Sequence, residues 1–246
     1  MSKKFKKYLS VLLATVLATG CLSAVVAFAD DSVALNEMNF PDANFRAYLS
    51  ENVDTDGNGV LSVEERDNHP IISVANRGIT TLKGIEYFPN LKNLSCSKNP
   101  LDKLDVSTLT ELTSLTCMAD GLSELNLHEN NKLQRLNCAN NQLTSLVVLS
   151  DSLTKLDCYV NKLETLDLTS VPNLKSLRCD QNSLKSLDLS NNQSLTSINC
   201  TYNNLTSLDL SKNTSLANVT NAMIGNQSVS LKANFDGNMI VIPFEN

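Results

Sequence analysis

The sequence of 246 residues contains no tryptophan, and aromatic residues make up only 5% of it. Its hydrophobic core must therefore be built from leucine, valine, isoleucine and cysteine. Histidine occurs only at His69 and His128, and neither lies in an HExxH motif, a nucleophile motif or a metal-ligand cluster. No glycine-rich loop of the kind that cradles phosphate groups is present either. These absences leave little basis for catalysis, and we expect no catalytic residues.

The N-terminus has the pattern of a secretory signal peptide. Its first eight residues carry four lysines, and an apolar run follows from Leu9 to Ala29. A basic start, an apolar middle and a small residue at the end predict cleavage after Ala29. The run is also long enough for an uncleaved membrane anchor, and Cys21 in LATGC resembles a lipidation site. We expect residues 1–29 to be a signal peptide and the protein to be secreted or held at the cell surface.

Loss of residues 1–29 would make the chain more acidic. It would remove four lysines and no acidic residues, leaving 16 basic and 26 acidic residues and a net charge of about −10. Such a charge opposes binding to nucleic acid and to anionic lipid, since both are polyanions. We expect a monomer that does not contact the membrane after the signal is removed.

Six cysteines recur at intervals of 21, 21, 20, 21 and 21 residues. They are Cys96, Cys117, Cys138, Cys158, Cys179 and Cys200. Leucine or isoleucine stands two and five positions before each cysteine, asparagine or aspartate three positions after it, and leucine five and eight positions after it. The repeating unit is LxxLxCxxNxLxxLDLSxNxx.

The repeat predicts a solenoid of short parallel strands. In the LxC portion, alternate residues point to the same side, as they do in a strand. One turn cannot bury its own apolar face, so neighbouring turns must stack on it. The asparagine after each strand can hydrogen-bond the backbone of the bend and of the next turn. Asp120 replaces one of these asparagines, and we expect a weaker bend there because a carboxylate accepts but does not donate.

The unit LxxLxCxxNxL resembles a leucine-rich repeat, in which a leucine usually stands at the cysteine position. The second half, LxxLDLSxN, nearly repeats the first, and this nesting is similar to a bacterial subclass of the family. The resemblance covers residues 71–220. It implies a mostly β leucine-rich-repeat solenoid, a binding function rather than an enzymatic one, and a secreted or cell-surface location in a bacterium.

The regular thiols could fill the core, form disulfides or serve a metal or catalytic site. Equivalent cysteines in stacked strands lie about 4.8 Å apart with parallel Cβ vectors, whereas a disulfide requires Cβ atoms about 3.8 Å apart. A linear column cannot surround zinc tetrahedrally, and a buried thiol is a poor nucleophile. We expect free thiols that fill the core, with one or more disulfides as the alternative.

Residues 54–65, DTDGNGVLSVEE, match the complete EF-hand loop D-x-[DN]-x-[DN]-G-x5-E. The ligands that this pattern assigns to Ca²⁺ are the side chains of Asp54, Asp56, Asn58, Ser62 and Glu65 and the carbonyl of Val60. A lone loop should bind Ca²⁺ weakly, at about 10⁻⁴–10⁻³ M, as a structural ion. An acidic surface turn without metal is the alternative.

Caps are expected at both ends of the repeats, because terminal turns would otherwise expose apolar faces. Residues 30–70 resemble the helical, EF-hand-like caps that precede leucine-rich repeats in secreted bacterial proteins. Apolar residues at helical spacing predict a helix over Pro41–Val53, and residues 71–90 form a degenerate first turn. Residues 221–246 predict a β-hairpin cap, because apolar residues alternate on both sides of NFDGN.

The outward residues of the LxxLxC strands are the default contact surface of a solenoid. Tyrosine and arginine are the usual interface anchors, and they appear in the later turns among charged residues. We predict a ligand-binding site formed by Arg135, Lys155, Asp157, Tyr159, Arg178, Asp180 and Tyr202. A solvated face with self-paired charges, such as an Asp157–Arg178 ion pair, is the alternative.

A second column of acidic residues follows the other half of the repeat. It consists of Asp105, Asp167, Asp188 and Asp209. Stacked carboxylates repel one another unless turn amides or cations satisfy them. We expect this column to cap local turns rather than to bind cations.

Together these features predict a non-enzymatic leucine-rich-repeat protein that recognises an extracellular protein or glycan through the solenoid face. Two alternatives remain. The chain could be a structural spacer of the bacterial envelope with no specific ligand, or the N-terminal fragment of a larger surface protein.

Overall fold

The structure of the protein is a computed structural model that describes residues 31–101, 103–216, 222–227, 231–235 and 238–242. The predicted signal peptide and the alternative lipidation site at Cys21 lie outside the described residues. None of the helices in the described part of the chain is long and apolar enough to cross a membrane.

Two short strands and two helices make up the N-terminal segment, residues 31–70. They are β1 (Val33–Ala34), α1 (Ala43–Asn52), β2 (Val60–Leu61) and α2 (Val63–Asp67). Helix α1 is the predicted helix, and its apolar face buries Phe45, Tyr48 and Leu49. Strand β2 lies inside the EF-hand-like loop and pairs antiparallel with β1.

A parallel sheet of eight strands follows, one strand from each turn. Seven of them are β3 (Ile71–Ser73), β4 (Asn93–Ser95), β5 (Ser114–Thr116), β6 (Arg135–Asn137), β7 (Lys155–Asp157), β8 (Ser176–Arg178) and β9 (Ser197–Asn199). The eighth, β11 (Ala222–Met223), comes after β10 (Ser207–Asp209), which lies outside this sheet. The strands pair in the register of the sequence repeat, with Leu115 between Leu94 and Leu136. The predicted stacking of 21-residue turns is confirmed.

A smaller sheet lies at the C-terminal end. Strand β10 pairs in parallel with β12 (Leu231–Phe235), and β12 pairs antiparallel with β13 (Asn238–Ile242). Strands β12 and β13 are the two arms of the predicted hairpin. Since β10 belongs to the second half of its turn, the hairpin extends that side of the solenoid and not the eight-stranded sheet.

The cysteine column lies at the centre of the core. All six repeat cysteines are 0% exposed and free of disulfide bonds. Burial penalises the thiolate and raises the pKa of each thiol, to about 12 for Cys138 and Cys200. The thiols therefore pack as small apolar side chains, as predicted.

Buried asparagines join successive turns at the bend after each strand. The Nδ2 of Asn141 donates to the carbonyls of Cys117 and Cys138, at 2.8 and 3.0 Å, one in each of two turns. Its Oδ1 accepts from the amides of Asp120 and Leu122. The side chain thus satisfies backbone groups that the bend leaves without partners in the sheet.

Each turn also bends through a left-handed residue two positions after the cysteine or its equivalent. These residues have φ between 52° and 62° and are Asn76, Lys98, Ala119, Asn140, Val160, Gln181, Tyr202 and Asn226. The conformation is costly for most residues other than glycine, asparagine and aspartate. The stacking of the turns, rather than local preference alone, therefore fixes the bend.

The N-terminal segment packs on the first turn of the solenoid. Asp42 caps α1 by accepting from the Phe45 amide at 2.9 Å. Its second oxygen accepts from the amide and the hydroxyl of Thr80, at 2.8 and 3.0 Å. The hydroxyl of Tyr48 accepts from the amide of Ser73 in β3. The segment thus occupies the N-terminal edge of the sheet, which would otherwise present unpaired backbone groups.

Candidate ligand-binding face and calcium loop

The outer side of the eight-stranded sheet, here named the sheet face, consists of the outward residues from four positions before to two positions after each repeat cysteine. All of the predicted ligand-binding residues lie on this face: Arg135, Lys155, Asp157, Tyr159, Arg178, Asp180 and Tyr202. Arg135 and Lys155 stand side by side in register in β6 and β7, and both are exposed. Tyr202 lies at a left-handed corner and is 58% exposed.

Tyr159 and Arg178 form an assembled pair at the centre of this group. The Cζ atom of Arg178 lies 4.0 Å from the centroid of the Tyr159 ring, which is a close cation–π contact. The Nε atom of Arg178 lies 3.5 Å from Oδ1 of the buried Asp180. That contact is an ion pair without a hydrogen bond, so Oδ1 of Asp180 has no donor. The ring and the carboxylate together restrict the guanidinium.

The side chain of Tyr159 extends across three turns. Its hydroxyl lies 3.6 Å from Sδ of Met118, which is 41 residues earlier and two turns away. Ala139 is the equivalent residue of the turn between them, and it is 0% exposed although its column faces outward. The tyrosine side chain therefore lies along the sheet, across the turn that carries Ala139.

The charged residues of this face pair with one another, but with partners other than those named in the alternative. Asp157 is the register neighbour of Arg178, but its Oδ2 pairs with Nζ of Lys155 at 3.1 Å. Arg178 turns instead toward Asp180 and Tyr159. The Asp157–Arg178 ion pair that the alternative named is not among the ion pairs of the described residues, because a stacked ring and a second buried carboxylate compete for the guanidinium. The charges of this face instead pair within their own turns.

The EF-hand-like loop between α1 and α2 brings its carboxylates together. Oxygen atoms of Asp54, Asp56 and Glu65 lie within 4.8 Å of one another. Oδ2 of Asp54 accepts from the Gly59 amide at 2.9 Å, and Oδ1 of Asn58 accepts from the Val60 amide at 2.7 Å. These bonds wrap the loop around its carboxylates. A set of hard oxygen donors at this separation fits Ca²⁺.

Glu65 is held at the end of this loop by hydrogen bonds. Its two oxygens accept from the amides and hydroxyls of Thr55 and Ser62, at 2.7 to 2.9 Å. Burial raises the pKa of Glu65, but the hydrogen bonds from Ser62 and Thr55 outweigh it and lower the pKa to about 2. Glu65 therefore stays ionised. The hydroxyl of Ser62 already serves the capping box of α2.

The partner of this loop was not predictable from the sequence. EF-hand loops usually pair through the apolar residue at position eight, here Leu61, and no second loop occurs in the sequence. In the structure Leu61 is 0% exposed and pairs with Val33 of β1. The N-terminal strand thus takes the place of a second loop. A two-residue strand has no periodicity that could have revealed it.

The acidic column on the other half of the repeat caps its own turns. Each aspartate accepts a hydrogen bond from the backbone amide two residues later, at 2.9 to 3.0 Å. The four aspartates are Asp105, Asp167, Asp188 and Asp209. Hydrogen bonds from Ser107 to Asp105 and from Thr169 to Asp167 lower the pKa of both carboxyls. The predicted capping role is confirmed.

The two histidines lie apart from the sheet face. Nδ1 of His69 is 2.6 Å from the carbonyl oxygen of Glu65. His128 is exposed and lines an open groove of about 490 Å³ beside Asn126 and Val147. Within the described residues, Asp54, Asp56 and Glu65 are the only three histidine, cysteine or acidic side chains grouped closely enough to share a metal ion.

The parallel turns, the leucine columns and the asparagine ladder give the chain a leucine-rich-repeat fold, a mostly β solenoid. The solved structures that share this fold include internalins of Listeria monocytogenes. Internalin inlF aligns with a TM-score of 0.72 and 21% identity over 82% of this chain and 66% of that one. Internalin C2 aligns with a TM-score of 0.67 and 22% identity over 76% and 85%.

A third similar structure is the functional domain of InlJ from Listeria monocytogenes, described as including a cysteine ladder. It aligns with a TM-score of 0.49 and 24% identity over 82% of this chain and 61% of that one. The chain thus spans less than two thirds of the length of InlJ and of inlF in those structures. No protein-family model and no curated protein sequence matches the chain.

Proposed function

We propose that this chain is a non-enzymatic, extracellular bacterial protein that binds another protein or a glycan through the sheet face. The assembled Arg178–Tyr159 pair is the observation that carries this proposal. Tyrosine and arginine dominate the binding energy of many interfaces. Holding them in place before a ligand arrives lowers the entropy cost of association.

The extracellular part of the proposal rests on the N-terminal sequence and on the fold. Residues 1–29 have the pattern of a signal peptide. The internalins that share the fold come from the bacterium Listeria monocytogenes. In this reading residues 71–220 form the binding region, with residues 30–70 and 221–246 as its caps.

The proposal is tested on an array of extracellular proteins and glycans. Wild type is compared with the variant Tyr159→Ala/Arg178→Lys, which removes the stacked pair but keeps a cation beside the buried Asp180. The control variant Lys162→Ala/Lys185→Ala changes two exposed lysines outside the sheet face. We expect the first variant to weaken the wild-type signals by at least about tenfold and the control to retain them.

The competing function is a structural spacer without a specific ligand. It would give the same signals for all three proteins, or no signal above background for any of them. Thermal melting of each variant before the assay ensures that a lost signal reflects the sheet face and not unfolding.

We also propose that the loop of residues 54–65 binds a structural Ca²⁺ ion. Asp54, Asp56, Asn58 and Glu65 would supply side-chain oxygens and Val60 its carbonyl. Glu65 joins the loop to α2, so an ion at this place would hold the N-terminal segment together. The clustering of three carboxylates within 4.8 Å supports this, because such charges repel unless a cation or hydrogen bonds compensate them.

Calcium binding is tested by thermal melting. With a dissociation constant of about 10⁻⁴–10⁻³ M, 10 mM Ca²⁺ should stabilise the fold by about 1–3 kcal/mol relative to EDTA. The melting midpoint should rise by about 3–8 °C. Glu65→Gln should abolish the rise, and Glu64→Gln, an exposed neighbour, should retain it. An equal midpoint in Ca²⁺ and EDTA would contradict the proposal.

A further inference from the structure

The sheet face carries charge of the opposite sign to the whole chain. Its basic residues are Lys92, Lys98, Arg135, Lys155, Lys175 and Arg178, and its acidic residues are Asp157 and Asp180. All six basic residues are exposed, and both aspartates are buried. The complete sequence has 20 lysines and arginines against 26 aspartates and glutamates. The excess of positive charge on this face is therefore local.

The acidic residues collect on other surfaces. The capping column of Asp105, Asp167, Asp188 and Asp209 is exposed on the second half of the repeat, away from the sheet face. Separation of the two signs orients an approaching charged partner, because it is attracted to one side and repelled by the other. An anionic partner would be steered to the sheet face.

Two of these basic residues, Arg135 and Lys175, are available to a partner. Within the described residues, no carboxylate lies within 4.0 Å of the charged groups of Arg135 or Lys175, whereas Lys155 and Arg178 are paired with Asp157 and Asp180. Arg135 stands next to Lys155 in register. An unpaired arginine beside a lysine is a place where an incoming carboxylate gains charge-assisted hydrogen bonds.

We infer that the sheet face binds an acidic polypeptide segment of a partner protein. Carboxylates of that segment would contact Arg135 and Lys155, next to the Arg178–Tyr159 pair. This inference rests on the proposed binding function and narrows its ligand. It favours a polypeptide over a glycan because Arg178 already covers the Tyr159 ring, on which a sugar would stack. Arginine, tyrosine and methionine, here Met118, are residues enriched at protein interfaces.

Fluorescence anisotropy with labelled polymers tests the inference. The probes are poly-L-glutamate, the acidic glycan polygalacturonate and an uncharged glycine-serine polypeptide. The full chain is compared with Arg135→Gln/Lys155→Gln and with the control Lys83→Gln/Lys103→Gln. The control removes the same charge from two exposed lysines outside the sheet face. Circular dichroism melting confirms that each variant is folded.

We expect wild type to bind poly-L-glutamate, and to bind it less tightly as the ionic strength rises. We expect no binding of the uncharged polypeptide. The Arg135→Gln/Lys155→Gln variant should bind about five- to tenfold more weakly, and the control within about twofold of wild type. Equal binding by both variants, or tighter binding of polygalacturonate, would overturn the inference. A further outcome is a ligand that binds Arg135→Gln/Lys155→Gln as tightly as wild type but fails to bind Tyr159→Ala/Arg178→Lys. That result would support the proposed binding function and reject the inference that the partner is acidic.

Discussion

Asp120 occupies the ladder position that asparagine fills in the five other cysteine-containing turns, and it is 2% exposed. Its Oδ1 accepts from the Asn99 amide at 2.9 Å, and Oδ2 lies 3.5 Å from the Cys96 thiol. It lacks the amide donor that an asparagine directs at the strand carbonyls. Burial raises the pKa of Asp120 to about 6, although the hydrogen bonds from Asn99 and Cys96 oppose the rise.

This pKa predicts how stability depends on pH. The carboxyl titrates at 3.8 when unfolded and at about 6 when folded, so the folded state holds the proton more tightly. The stability that the protonated carboxyl contributes is fully present below pH 4 and is lost as the pH rises through 6. Asp120→Asn should therefore stabilise the protein by on the order of 1–2 kcal/mol at pH 8 and by little at pH 4.

Urea unfolding of wild type and Asp120→Asn at the two pH values measures the difference. Asp151→Asn, a change at an exposed aspartate, is the matched control and should show no such pH dependence. An equal effect of Asp120→Asn on stability at both pH values would mean that ionisation of the buried carboxyl does not destabilise the fold.

Val160 adopts a conformation that a β-branched residue rarely tolerates. Its φ is 52°, in a column where Asn76, Asn140 and Asn226 meet the same requirement. The left-handed conformation costs about 1–2 kcal/mol for an ordinary L-residue, and asparagine relieves part of it. We predict that Val160→Asn stabilises the fold by about 1 kcal/mol, measured as a higher denaturant midpoint. The reciprocal Asn140→Val should destabilise it by a similar amount, and a neutral result for both would show that stacking absorbs the strain.

Among the structural elements, helix α1 is attached to the solenoid at its start by one buried side chain. Asp42 is 8% exposed and links the start of the helix to Thr80 in the first turn. Asp42→Ala removes the helix cap, which costs about 1 kcal/mol. It also leaves the Thr80 amide without its acceptor, at a further cost of about 1–2 kcal/mol. We predict a loss of about 2–3 kcal/mol in the free energy of unfolding.

The control for Asp42→Ala is a second contact between the same two elements. Asn44 donates to the carbonyl of Gly78 at 3.1 Å, but this bond is exposed to water. Asn44→Ala should therefore cost less than about 0.5 kcal/mol. If the two variants lose equal stability, the attachment is distributed along the helix and not concentrated at its cap.

The strands of the solenoid were predictable because the 21-residue repeat specifies both where each strand lies in the sequence and which strands pair with it. Leu115 and Cys117 alternate as a strand requires, and the same pair one turn later sets the register. The side-chain partners of Arg178 were not predictable in this way. Register places Asp157 beside it, but the contacts with Asp180 and Tyr159 depend on side-chain rotamers, which no periodicity encodes. The fold can therefore be predicted from the repeat period, but the side-chain contacts of the site cannot.

At the scale of the whole molecule, each turn of a solenoid contacts only its neighbours, so stability is close to a sum of turn and interface contributions. The first turn is covered by the N-terminal segment through Asp42 and Tyr48. At the other end of the eight-stranded sheet, β9 pairs with the two-residue β11. We infer that the stack opens more readily from this end than from its middle.

The thiol column reports such opening, because all six cysteines are buried and a thiolate is required for alkylation. We predict that iodoacetamide modifies Cys200 first in the native protein and Cys138 much more slowly. Burial raises the pKa of both thiols, to about 12. Comparison of each rate with that of the same cysteine in urea separates access from intrinsic reactivity. Peptide mass spectrometry over a labelling time course measures each cysteine separately, with urea-unfolded protein as the reference.

Two other outcomes are possible, and each has a structural meaning. Equal and slow labelling of all six cysteines would mean that the chain unfolds as one cooperative unit, with strong interfaces between the turns. Labelling of all six as fast as in urea would mean that the column is not buried in solution. The stacked turns, and with them the sheet face that orients Arg178 on Tyr159, would then lose their physical basis.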